Sequence, residues 1–168
     1  LKGLSPKENR EVPPLNYARV MRMKARYPEL TIVINGGVVS LEAARDLING
    51  TVPCDDAVPL DGVMMGREAY QNPYLLSGVD QSLFPELQAQ LNENLQQSRE
   101  RKQILNAYLP YIARELDEGT PLQHMTRHIL GLFRNVPGGR QFRRHLSENA
   151  HRTDAGISVL EDAAAMVR

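Results

Sequence analysis

The chain has 168 residues, 42% hydrophobic and 24% charged, with Lys+Arg and Asp+Glu both at 20. These values exclude a disordered chain and fit one ordinary domain, or a fragment with a small second unit. The balanced charge says nothing about partners, so any electrostatic signal must come from where the charges sit.

Leu1 rather than Met opens the sequence, with no signal-peptide pattern, and the expectation is a part of a longer protein. No apolar run approaches the roughly 20 residues of a membrane helix. The single cysteine, Cys54, cannot form an internal disulfide or build a zinc site by itself, which makes a reducing cytoplasm the expected compartment.

Residues 1–14 are polar and rich in proline and read as a loop. A helix is predicted from Asn16 to about Tyr27, with Val20, Met21 and Met23 inward and Arg19, Arg22, Lys24 and Arg26 in water. Tyr27-Pro28 stops it, because the residue before proline avoids the α region. Leu30–Ile34 is a short β-branched run without polar alternation, predicted as a strand buried on both faces. Asn35-Gly36-Gly37 turns the chain, and Ser40 can cap a helix from Leu41 to about Ile48. After a loop containing Cys54, Gly62–Met65 reads as a second buried strand. It ends in Gly66-Arg67 and leads to a short helix interrupted at Asn72-Pro73. Alternating helix and strand means parallel α/β architecture.

Past Ser77-Gly78 the character changes. The Gln- and Asn-rich stretch 88–97 reads as a linker into a helical region. Ile104, Leu105, Tyr108, Leu109, Ile112 and Leu116 form one apolar stripe at helical spacing. Gly119-Thr120-Pro121 separates this helix from a second, with Leu122, Met125, Ile129, Leu130 and Phe133 inward. Pro137-Gly138-Gly139 precedes a third helix to about His151, and Val159–Val167 is a fourth. No repeat of 20–50 residues is present.

Two features point to chemistry. The glycine turns after the two strands lie about 30 residues apart, one βα repeat, so they would be neighbours on a sheet. Glycine there lets backbone N–H groups approach a phosphate, and the loops after the last two strands of a (β/α)₈ barrel often do this. Arg67 could add a charge-assisted bond. Glycines that are simply turn formers remain the bland alternative.

The second feature is residues 124–152, which hold six arginines (127, 134, 140, 143, 144, 152) against one acid, Glu148, a net of +5. At about 100° per residue, Arg140, Arg143, Arg144, Ser147 and His151 share one stripe, opposite or flanking Phe142, Leu146 and Ala150. Arginine with so little counter-charge suits nucleic-acid phosphate; a merely solvated charged face is the alternative. All four histidines lie in the same stretch without metal-ligand spacing, and no metal site is expected.

Several longer runs carry a resemblance. Gly3–Arg10, Ile34-Asn35-Gly36-Gly37, Asp61–Pro73, Thr126–Phe133 and Leu146–His151 resemble the second half of the bacterial tRNA-dihydrouridine synthases of the A type. The likeness covers nearly the whole chain and is weakest over Ile48–Leu60 and over 86–100. It implies the last strands and helices of an FMN-containing (β/α)₈ TIM barrel over 1–80, then a small helical bundle over 81–168 that binds tRNA. It also implies reduction of D-loop uridines, with U20 and U20a as the expected positions, using NADPH.

On this resemblance Asn35, Gly36, Gly37, Gly66 and Arg67 hold the FMN phosphate. Lys7, Arg10, Arg140 and Arg143 are the candidate tRNA contacts. The family's catalytic cysteine belongs to earlier barrel strands, and Cys54 lies at the opposite end of the strands from the chemistry. No catalytic residue is therefore expected here, and the chain alone is expected to be inactive. Two barrel strands leave unpaired edges, so a second copy or the amino-terminal half of the barrel is the expected partner. A stand-alone RNA-binding module without chemistry is the competing reading; it would have no need of the glycine turns.

Overall fold

The structure, a computed structural model, describes residues 15–85 and 100–168. Lys7, Arg10 and the Gln-rich stretch lie outside the described residues. Contacts gather the chain into two compact units, the first ending at Gly66 and the second spanning Arg67–Arg168. This division falls ahead of position 80.

In the first unit, helix α1 (Tyr17–Arg26) is capped by Asn16, whose side chain accepts from the Arg19 N–H at 2.9 Å. Met21 is its buried anchor, whereas Met23 is half exposed, against the sequence expectation. Lys24, expected in water, is largely covered and donates to the carbonyls of Pro28 and Leu30. Its ammonium also pairs with Asp61 at 2.8 Å. Asp61 in turn accepts from the Ile32 N–H at 2.7 Å. One carboxylate thus ties the end of α1 to the entry of both strands.

Strands β1 (Val33–Asn35) and β2 (Gly62–Met64) pair in parallel, Val33 opposite Gly62 and Asn35 opposite Met64. Between them runs α2 (Leu41–Asn49), capped by Ser40, whose hydroxyl accepts from the Ala43 N–H at 3.2 Å. Burial on both faces does not hold. Ile34 is buried with Met21, Val38, Ala44, Leu47 and Leu60, but Val33 and Met64 are 55% and 46% exposed. A two-stranded sheet has one face covered by its crossover helix, and the alternation of side chains puts Val33 and Met64 on the other.

The second unit opens with α3 (Arg67–Gln71), a 3₁₀ turn (Pro73–Gly78) and α4 (Val79–Leu83). It continues with α5 (Arg101–Asp117), α6 (Leu122–Thr126), α7 (Gly139–Asn149) and α8 (Ile157–Ala165). Leu105, Ile112, Leu122, Met125, Phe133, Phe142, Leu146 and Leu160 join one core, in which the Phe133 and Phe142 rings meet edge to face at 4.7 Å.

The helix expected through Phe133 stops at Thr126. Tight turns follow, with Ile129, Leu132 and Arg134 donating to the carbonyls of Thr126, Ile129 and Gly131. Tertiary packing explains the change of path. A Cβ on Gly131 would stand 2.0 Å from the Gln71 carbonyl oxygen, so the backbone itself seats against the end of α3.

Candidate functional site

Two regions, one in each unit, hold the residues singled out by the sequence. In the first unit both glycine turns leave the same end of the parallel strand pair, Gly36 and Gly37 directly after β1 and Gly66 two residues beyond β2. Gly36 and Gly37 have φ of 120° and 65°, conformations that favour glycine. Leu15 covers one side of the turn, since a Cβ on Gly36 would meet its Cδ2 at 2.7 Å, and the Tyr17 hydroxyl donates to the Gly36 carbonyl.

Asn35, Gly37 and Gly66 are exposed. Main chain without side chains at adjacent strand ends has the form a phosphate cradle needs. Arg67, exposed at the start of α3, already takes part in an interaction within the protein. Cys54 sits in the loop that feeds the start of β2, at the other end of the strands from these turns.

In the second unit the stripe on α7 forms as expected. Phe142, Leu146 and Ala150 are buried, and Arg140, Arg143, Arg144, Ser147 and His151 are exposed. The charge is less bare than the sequence suggests. Glu148 accepts from Arg144 Nε at 2.7 Å, which holds that guanidinium above its usual pKa. Glu68, largely shielded from solvent, pairs with Arg134 at 3.0 Å. Arg127, Arg140 and Arg143 make no ion pair among the described residues.

Three shallow grooves run along this surface. One of about 330 Å³ is lined by Arg134, Asn135, Arg140 and Arg143. A second of about 350 Å³ is lined by Tyr70, Gln71, Arg127, Leu130, Gly131, Arg134 and Arg143. The third, about 330 Å³, includes His124, Arg127, Leu130, Ser147 and His151. Leu130 borders all three, and Arg127, Arg134 and Arg143 each border two, so the surface is continuous. Sequence reasoning counted Arg127 and Arg134 in the basic stretch but nominated only Arg140 and Arg143 there as contacts. The place of Arg127 and Arg134 in the acid-poor run 124–152 was the available signal.

Residues 2–168 match the family model described as Dihydrouridine synthase (Dus). The chain belongs to the dihydrouridine synthase family. Among its relatives, the tRNA-dihydrouridine(20/20a) synthase of Vibrio cholerae is 53% identical over 167 residues, which cover 99% of this chain and 46% of that protein. The proteins of the same name from Yersinia pestis and Escherichia coli K12 are 52% and 48% identical, again over 99% of this chain and 44% of theirs. The chain therefore spans about half the length of the curated relatives it matches. The match bears out the family resemblance read from the sequence. Among the described residues no helix is long and apolar enough to cross a membrane.

Proposed function

We propose that this chain supplies the flavin-phosphate and tRNA-binding portions of an FMN- and NADPH-dependent tRNA-dihydrouridine synthase acting on D-loop uridines. The observation that carries the reading is the continuous groove surface around Arg127, Arg134 and Arg143, in a chain of this family. Arg127 and Arg143, which make no ion pair among the described residues, leave this exposed face with positive charge beyond the Arg134–Glu68 pair. Such charge matches the spaced negative charge of an RNA backbone. Arg140 and Arg143 hold tRNA phosphates in this reading, and Lys7 and Arg10 add to them.

Asn35, Gly36, Gly37 and Gly66 receive the FMN phosphate on main-chain donors, and Arg67, next in sequence, contributes charge. Bound FMN supplies hydride for the uracil ring. The residues here bind and position; Cys54, at the far end of the strands, is not placed to donate a proton at that ring. The 168-residue chain alone is then expected to show no uridine reduction with FMN, NADPH and unmodified tRNA.

In the same reading residues 1–80 are the closing part of a (β/α)₈ barrel, and 81–168 are the tRNA-binding helical domain. The parallel β1–β2 pair with its crossover helix supports the first assignment. The exposed Val33 and Met64 then belong to the barrel interior, which the remaining strands cover; a second copy of the chain is the other possible cover. A module that only binds RNA would leave the paired turns of the first unit without a role.

Equilibrium binding of the chain to unmodified tRNA tests the proposal. Affinity should fall steeply as salt rises. Absence of any salt-sensitive tRNA binding would remove the reading.

A further inference from the structure

One aromatic side chain stands among the arginines. Tyr70, near the end of α3, is 53% exposed and lines the same 350 Å³ groove as Arg127, Arg134 and Arg143. Its ring meets the His128 ring edge to face, with centroids 5.7 Å apart and planes at 87°. A single perpendicular neighbour covers at most one face of the tyrosine. The His128 Nε2 accepts from Arg127 Nε at 3.2 Å, so the contact that steadies Tyr70 also directs Arg127. The groove wall is fixed on the other side, because Gly131 is seated against the Gln71 backbone.

Charge and shape together select the occupant. Glu68 offsets Arg134, which leaves Arg127 and Arg143 as the net positive charge of the groove. The volume falls in the roughly 300–1,000 Å³ range of small-ligand sites. An anion with a flat ring attached satisfies both features. Bases inside a duplex already have both faces stacked, so an open tyrosine face can take only an unstacked one.

We propose that Tyr70 is a stacking platform for an unstacked nucleotide of the bound RNA, whose flanking phosphates are held by Arg127 and Arg143. The proposal deepens the tRNA reading and rests on it. It separates the two kinds of work on this face: the arginines provide salt-dependent affinity, and Tyr70 provides selection for loop or single-stranded RNA over duplex.

The chain contains no tryptophan, so Y70W places its one indole in the groove, read by red-edge excitation that the tyrosines do not absorb. With tRNA, and with a single-stranded oligouridylate, Y70W should bind as the parent does and its emission should be quenched; a double-stranded RNA should bind without quenching. Y70A and Y70L should each weaken tRNA binding by roughly 10-fold or more at constant salt, with the salt slope unchanged, while Y70F is neutral. Far-UV circular dichroism checks that each variant folds. Unchanged tRNA affinity in Y70A and Y70L, or unquenched Y70W emission in a complex that forms, would overturn the stacking role and leave tRNA binding by the arginines standing. No tRNA binding by the parent chain would overturn both.

Discussion

Neighbouring arginines on α7 are not equivalent. Arg144 is held by Glu148 one helical turn away, whereas Arg143 borders two grooves and makes no ion pair among the described residues. R143A should therefore weaken tRNA binding more than R144A. E148Q, which releases Arg144 and removes the only acid among residues 124–152, should tighten binding a few-fold at low salt. Filter-binding titrations of the three variants check this order.

Asp61 is the second residue whose environment sets its behaviour. The Ile32 N–H, and then the Lys24 ammonium, hold its carboxyl below the usual carboxylate range. A lowered folded-state pKa gives stability that is present above the unfolded value of about 4 and is lost as pH falls through the folded value. Thermal melts of the parent chain should show this loss on the acid side, and D61N should flatten it.

Local sequence specified several elements well. The Ser40 cap placed α2 within one residue, and the β-branched run before Asn35-Gly36-Gly37 located β1, because short apolar runs and caps act locally. The strand is shorter than expected and begins three residues later, at Val33. The burial of Phe142, Leu146 and Ala150 was likewise legible from helical spacing. The segment 127–136 was not. Its apolar positions have helical spacing, yet the Gln71 carbonyl, far away in sequence, claims the space beside Gly131. G131A should accordingly destabilise the second unit by about 1–3 kcal/mol, as overpacking against backbone does. F142A, which empties the centre of the same core, should cost about 3–5 kcal/mol. Denaturant unfolding monitored by circular dichroism measures both. The same distance in sequence hid Tyr70 as a member of the site, since only the fold sets it beside His128 and Arg127.

At the scale of the whole molecule, the chain pairs two strands and leaves Val33, Met64 and Leu30 about half exposed. Apolar surface of this kind is characteristic of a face that a partner covers. Sizing chromatography of the 168-residue chain should show self-association, relieved when the other strands of the barrel are supplied on the same polypeptide. A stable monomer with sharp unfolding would count against the barrel assignment.

The central claim is that the arginine face of the second unit binds tRNA through phosphate contacts. The direct measurement is tRNA affinity across a salt series for the parent chain and the double variant R140A/R143A. A linear fall of log K with log salt is expected, with the slope reduced by about 1 for each phosphate contact removed. Identical affinities and slopes in the two proteins would contradict the claim.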